Sequence, residues 1–423
     1  MNKRVLLSWI VTLLLVAAPA ATVLAQDSPW PGSGESLQVS PSDQARQVSL
    51  SLQDSHLALA WAGTDIQPGI FISERQPTMW TSPDIVTQAA GSRFPSLTHD
   101  GAGDLLIAWL EGEDAGQVMQ MDVATQVTQT IASDIYGDAF PHLLVAPGGE
   151  HIVYAAAEIE ANRTKTDLYH TYRPAGQDTW PGPTVVITRA QVQPGEPGGV
   201  WYPRAAVNTT DGRLHLVWEQ TTQTISRTVW YISGAPVSGN VSWGTAQQLS
   251  PQGQMAVRPD VKMDANGVVH VVWSEIAEGT EASPLQQFIN YRRLSGSTWS
   301  AAKRIDPTAV SVNYLYPTKA TPRLALGSEQ ICAAWHGYRG ETGKEDILLR
   351  CSKNSGLSWD TTFNVSENRN ALSLMPAIQM DTDDELYVAW QDLTVGPITY
   401  WGAYFRTGRA EFRVYLPLVM RSK

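Results

Sequence analysis

From about residue 45 onward, apolar positions alternate with polar ones in short runs of four to eight residues, and the runs recur in a fixed order. Each unit opens on a proline inside an alternating stretch: FPSLTH (94–99), FPHLLV (140–145), YPRAAV (202–207), RPDVKM (258–263), TPRLAL (321–326) and MPAIQM (375–380). A turn of Asp, Gly, Asn or Ser follows. A second apolar run then ends in tryptophan, at Trp61, Trp109, Trp218, Trp273, Trp335 and Trp390, with Ala156 in that place in the third copy. Proline and tryptophan are 13 to 15 residues apart, which fits a strand, a tight turn and an antiparallel strand. A third run leads to a further tryptophan in five copies (Trp80, Trp180, Trp243, Trp299, Trp359), and a short fourth run closes the unit.

Four short strands in units of about 50 residues predict an all-β fold, a β-propeller of four-stranded blades. Seven tryptophan-type strands predict seven blades, with six as the alternative. The stretch LQVSPSDQARQVSLSL (37–52) is similar to QQLSPQGQMAVRPDVKM (247–263), so the chain starts on a fourth strand. Residues 36–40 are therefore expected beside the third strand of blade seven, closing the ring and removing its open edge. Eleven of the 16 tryptophans fall at the two repeat positions, where large flat side chains fill the space between blades.

The 423 residues divide into residues 1–25, 26–34, 35–406 and 407–423. The first part has Lys3 and Arg4, then an apolar run ending Val-Leu-Ala, and is expected to be a cleaved signal peptide of bacterial export. The second is a linker, the third the propeller and the fourth a tail containing YLPL. A secreted or cell-surface location follows, with no transmembrane span in the mature chain. Loss of Lys3 and Arg4 leaves 28 basic against 41 acidic residues, with no basic run, which excludes nucleic acid as a partner. The sequence carries no Gly-rich phosphate loop and no metal-ligand spacing. No cofactor and no metal are expected, and Asp clusters such as MDTDDE (380–385) sit where turns want Asp for backbone reasons. The chain is expected to be a monomer.

Cys332 and Cys351 are the only cysteines. They fall on the second and third strands of blade six, and facing them pairs Trp335 with Leu348 and Gly337 with Asp346 across a loop of about eight residues. A disulfide suits an exported chain. The alternative is two buried thiols acting as small apolar residues.

SKNSGLSW (352–359) resembles the Asp-box, Ser-x-Asp-x-Gly-x-x-Trp, of sialidases and related BNR-repeat propellers, with Asn354 in the aspartate's place. RFPSLTHDGAGDLLIAWLEG (93–112) resembles the Arg-Ile-Pro strand of sialidases and the Gly-x-Leu-Leu strand after it. The resemblance implies a glycoside hydrolase for acidic sugars, with Arg93 as the arginine of the substrate carboxylate. It departs at Phe94, at Glu113 and in the six blades of the family's enzymes.

Propeller sites lie on a rim, in loops and strand ends. Starts of first strands bring Arg93, His142, Arg204, Arg258, Asp260 and Arg323 to one rim, with Trp201 placed to stack on a sugar. Arg204, Arg258 and Arg323 share a phase along consecutive blades, and Arg93 is out of phase with them. Two residues past the tryptophan position come Glu111, Glu158, Glu275 and Asp392, a candidate acidic rim. The arginines either clamp a substrate carboxylate or pair with the carboxylates of neighbouring blades. Tyr202, Tyr314 and Tyr316 are candidates for a nucleophile, none singled out by spacing. Two functions follow: a secreted sialidase-like propeller acting on glycans, or a non-catalytic propeller binding carbohydrate or an extracellular protein.

Overall fold

The computed structural model describes residues 28–29, 36–40 and 45–409, except 65–66, 78, 161–162, 189–198, 222–226, 238, 252–253, 278–284, 307–309, 313–319, 340–343, 368–370 and 395–399. The leader, the tail beyond 409, Tyr314 and Tyr316 lie outside that set. Every described element is a strand, and they form seven sheets arranged as the blades of a propeller. Blade 1 runs from Arg46–Gln53 to Asp84–Thr87, blade 2 from Arg93–His99 to Val127–Ile135, and blade 3 from His142–Ala146 to Thr184–Ile187. Blade 4 begins at Val200–Val207, blade 5 at Met255–Met263, blade 6 at Arg323–Leu326 and blade 7 at Ala371–Met380. Among the described residues no helix is long and apolar enough to cross a membrane.

Each first strand lines the axis and pairs with the tryptophan strand behind it. Those six tryptophans are at most 1 % exposed. They stack on the residue opposite them in the third strand where that residue is aromatic: Trp61 on Phe71, Trp218 on Trp230, Trp390 on Tyr404. Truncating such a residue to Ala costs roughly 3–5 kcal/mol. Four of the second tryptophan set pack edge-on against an aromatic or histidine ring of the adjacent blade: Trp80 on Phe405, Trp243 on His170, Trp299 on Tyr231 and Trp359 on Tyr291.

The ring closes through non-local hydrogen bonds. Leu37–Gln38 pairs antiparallel with the third strand of blade 7 (Leu37 opposite Phe405), Val39 N–H donates to Ala403 O, and Ala403 N–H to Ser40 Oγ. Residues further upstream also join the ring. Ser28–Pro29, in the segment read as a linker, adds a parallel strand beside Phe363–Asn364 of blade 6.

Cys332 and Cys351 are directly opposed and disulfide-bonded, with Cα atoms 4.1 Å apart. The ladder continues past Gly337–Asp346 to Arg339–Lys344, so the loop is four residues, shorter than the eight expected. The Asp-box turn is built around Asn354. Its Oδ1 accepts from Ser358 N–H and Ser352 Oγ–H, and Ser352 Oγ accepts from Gly356 N–H. Gly356 has φ of +80°, and a Cβ there would lie 2.0 Å from Tyr291 Oη, so only glycine fits.

Candidate functional site

The residue before each repeat proline sets the geometry of the axis. Phe94, Phe140, Tyr202, Arg258 and Met375 all have φ between +46° and +56°, as does Gln47 before Val48 in blade 1. In five blades the first strand slips register against the second at this point, between Arg46/Ser49, Arg93/Ser96, Trp201/Arg204, Val257/Asp260 and Leu374/Ala377. A positive φ at a non-glycine residue is strained, and its repetition marks a bulge built into the fold. The bulge puts both the residue before the proline and the residue after it on the axis, one layer apart.

The upper layer is a ring of Gln47, Phe94, Phe140, Tyr202, Arg258, Thr321 and Met375. Its bulge N–H groups are caught by the neighbouring blade. Gln391 Oε1 accepts from Gln47, Gln47 Oε1 from Phe94, Glu219 Oε2 from Arg258 and His336 Nδ1 from Met375. Phe94, Phe140 and Tyr202 form a continuous aromatic arc, with ring centroids 4.3 and 3.9 Å apart. Arg258 lies over the Tyr202 ring at 4.9 Å and donates to Thr321 Oγ1 at 2.6 Å, while its buried Nε has no acceptor among the described residues.

The layer below consists of Ser49, Ser96, His142, Arg204, Asp260, Arg323 and Ala377. Here a staple recurs: the side chain after the proline accepts the backbone N–H two residues past the proline of the next blade. Ser49 Oγ takes Leu97 N–H, Ser96 Oγ takes Leu143 N–H, His142 Nδ1 takes Ala205 N–H and Asp260 Oδ2 takes Leu324 N–H, at 2.8–3.0 Å. At Arg204, Arg323 and Ala377 the staple is missing, because neither arginine nor alanine has a side-chain acceptor. Among the described residues, the hydrogen bond each guanidinium makes is to the carbonyl of its own preceding proline, at 3.0 Å.

These layers enclose an axial cavity of about 590 Å³. One wall, from blades 3 to 6, carries Arg204, Arg258, Lys262, Arg323 and His142. The opposite wall is small, with Ser49, Ser96 and Ala377. Among the described lining residues Asp260 is the one carboxylate. The charges act on one another. Burial, then the neighbouring Arg204, pushes Arg323 down to about 9, and burial lowers Arg204 as well. His142 falls well below the ordinary imidazole range through burial, then through Arg204, Lys262 and Arg323. It is therefore neutral, and since Nδ1 accepts from Ala205, its ring proton sits on Nε2. Burial raises the Tyr202 phenol, with Arg258 opposing. Asp260 apart, the polar groups of this wall are donors: three guanidinium groups, an ammonium, an imidazole N–H and a phenol.

The sequence-derived candidates divide. Arg204, Arg258 and Arg323 are brought together. Arg93 stands outside the cavity lining: its fork is taken by Asp138 Oδ1 at 2.9 Å and the carbonyls of Gly91, Gly112 and Gly137, tying blade 2 loops to the entry of blade 3. Trp201 is half-buried, donates to Thr221 Oγ1 and meets Phe140 edge-on, also outside the lining. Glu111 and Asp392 fold back onto the indole N–H of their own Trp109 and Trp390, and Glu275 accepts from Asn290. None of these three carboxylates lines the cavity. The Glu158 side chain lies outside the described residues. Lys262 and the Phe94–Phe140 pair were overlooked; both were findable, Lys262 by continuing the period-two phase from Asp260, the phenylalanines by their place before the repeat proline. Among the described residues no group of three His, Cys, Asp or Glu is placed to hold a metal.

No family description matches the chain, and no curated protein is significantly similar. Solved structures do match. An ulvan lyase of polysaccharide lyase family PL25, solved bound to -[GlcA(1-4)Rha3S]-, superposes with TM-score 0.59 at 13 % identity, over 86 % of this chain and 96 % of that one. A protein of unknown function from Dyadobacter fermentans gives 0.50 at 10 %, over 89 % and 97 %. A leech intramolecular trans-sialidase gives 0.47 at 10 %, over 92 % and 70 %. At such identities these are likenesses of fold alone, that of a β-propeller, which in this chain has seven blades.

Proposed function

We propose that this chain is an exported propeller that binds acidic glycans in its axial cavity, with Arg204, Arg258 and Arg323 as the clamp for a carboxylate. The observation that carries the reading is the forfeited staple. At equivalent positions Ser49, Ser96, His142 and Asp260 tie one blade to the next, whereas Arg204 and Arg323 give that up to place two guanidinium groups that repel each other inside the protein. Residues that cost the fold stability at a cavity wall are explained by a ligand. A guanidinium fork matches a carboxylate in two parallel hydrogen bonds. The aromatic arc offers an apolar surface to the face of a sugar ring, and the fold is shared with a lyase whose ligand contains a uronate.

Binding is favoured over hydrolysis by the carboxylate inventory. A glycosidase of the usual kind needs two carboxyl groups across the scissile bond, and the sialidase type, for which Tyr202 would be the nucleophile, needs one carboxylate as that tyrosine's base and another as acid/base. Asp260 alone lines the cavity among the described residues, and its Oδ2 already holds Leu324. The test is calorimetric titration of the 26–423 chain with sialyl- and glucuronyl-oligosaccharides and their neutral counterparts. Acidic ligands should bind, neutral ones should not, and Arg323→Gln or Arg204→Gln should weaken binding by at least tenfold. Equal affinity for neutral sugars, or affinity unmoved in both variants, would remove the site. Turnover of a fluorogenic sialoside, or release of an unsaturated uronate, would replace binding by catalysis.

A further inference from the structure

Resting on that reading, we infer that the cavity takes a sugar with two anionic groups, and that Lys262 selects the second. The first strand of blade 5 presents Arg258, Asp260 and Lys262 in successive axial layers, and all three line the cavity. Arg204 and Arg323 flank this strand in the Asp260 layer. Lys262 stands one layer further in, two residues along the strand and so about 7 Å deeper. The other lining residues of that layer are Ser51, Thr98, Leu144, Ala206 and Gln379, hydroxyl, amide and apolar groups without charge.

No ion pair or hydrogen bond is made by the Lys262 ammonium among the described residues. Asp260, on the same strand face, is committed to the Leu324 N–H at 2.8 Å. Lys262 is felt across the cavity, where it is one of the charges that depress His142. An ammonium with no ion-pair partner among the described residues, one layer below a guanidinium clamp, fits an anion held deeper than the first. Across the cavity in that layer stand Ser51 and Thr98, whose hydroxyls are engaged by His99: Ser51 Oγ with its Nδ1 at 2.8 Å and Thr98 Oγ1 with its carbonyl. The ligand is then a sugar bearing a carboxylate and, about 7 Å away, a second anionic group: a sulfate ester or a second carboxylate. Lys262 acts as a specificity determinant for that group.

The experiment compares three probes on the 26–423 chain by titration calorimetry: a methyl glucuronide, its monosulfated derivative and a glucuronide linked to a second uronate. The doubly anionic probes should bind about tenfold more tightly than the simple glucuronide, one charge-assisted contact's worth. In Lys262→Gln the ratio of affinities should fall to near one, and Lys262→Arg should restore most of it. Arg323→Gln should weaken all three probes while the ratio persists. An advantage for sulfate over dicarboxylate names the ester as the second group, and the reverse names the carboxylate. The inference is overturned if wild type shows no advantage for a second anion, or if Lys262→Gln keeps it with an unchanged thermal melt. Absence of binding by any acidic probe fails the parent reading instead, and the two failures are thereby distinct.

Discussion

Replacing Arg323 or Arg204 by serine should make the fold more stable while destroying the site. Serine is the residue that performs the blade-to-blade staple at Ser49 and Ser96. At position 323 its hydroxyl would face the N–H of Ile378, and at 204 that of Val261, the residues two past the next repeat proline. A recovered hydrogen bond of this kind contributes about 0.5–1.5 kcal/mol. Removing the charge adds to it. Arg323 is pushed about 3.5 units down from the ordinary guanidinium range to about 9, chiefly by burial and then by Arg204. At roughly 1.4 kcal/mol per pKa unit that is a ceiling of about 5 kcal/mol against the charged form. The guanidinium faces a cavity open to water, where screening cuts such energies several-fold, so about 1–2 kcal/mol remains. The lost packing of the arginine stem takes back about 1 kcal/mol. The net gain is about 1–2 kcal/mol. For a chain of this length, with unfolding entropy near 2.1 cal/mol/K per residue, it raises Tm by about 1–3 °C. Scanning calorimetry at pH 7 and low salt reads the change, and titration with an acidic oligosaccharide reads the loss of binding. A Tm lowered by more than about 2 °C in both variants would show the arginines to be structural. A raised Tm with binding intact would show them to be dispensable to the ligand.

Three further outcomes are expected. Deleting residues 26–45 removes the strand opposite Tyr404–Phe405 and the Ser40 contact, and should lower Tm far more than an ordinary terminal trim, because the ring opens; an unchanged melt would refute the closure. Thiol titration of the denatured, unreduced protein should find no free thiol, and reduction should cost about 3 kcal/mol on the chain-entropy account of a loop this long; two thiols per chain would refute the bridge. His151 and His170, paired at 2.9 Å, are held by burial at about 4 and about 3. Both folded values lie below the unfolded one near 6.5, so the unfolded chain binds more protons between them. Stability is full above pH 6.5 and falls as pH drops toward 4, by about 1.4 kcal/mol per pH unit for each group titrating. His170→Gln should flatten that slope in urea titrations at pH 4–7, and an unaltered slope would exclude the pair as its source.

The strands, the blade count and the seam of the ring were legible in the chain. Period-two alternation, a proline and a tryptophan at nearly constant separation, and the copy of a fourth strand at 37–40 each follow from local pairing rules. A strand that must bury one face and pair both edges has few alternatives, so pattern alone decides it. The seat of the acidic residues could also have been read. Trp109 and Glu111, like Trp390 and Asp392, are two apart and share a strand face, and a buried indole N–H needs an acceptor.

The site itself was decided by the tertiary structure. Counting along the strand put Arg258, one before its proline, and Arg204 and Arg323, one after theirs, in one phase. They do share a wall. The bulge at the residue before the proline, with φ of +52° at Arg258, separates them into two layers, and no periodicity announces such a slip. Arg93 shows the reverse. Its motif resembles a ligand-binding arginine, but Asp138 and three glycine-loop carbonyls of blades 2 and 3 close around the fork, and those partners lie up to 45 residues away. Whether an arginine is spent on the protein or left for a ligand depends on which acceptors the other blades bring to it. That is a property of the closed ring, set by hydrogen bonds between residues the sequence keeps far apart.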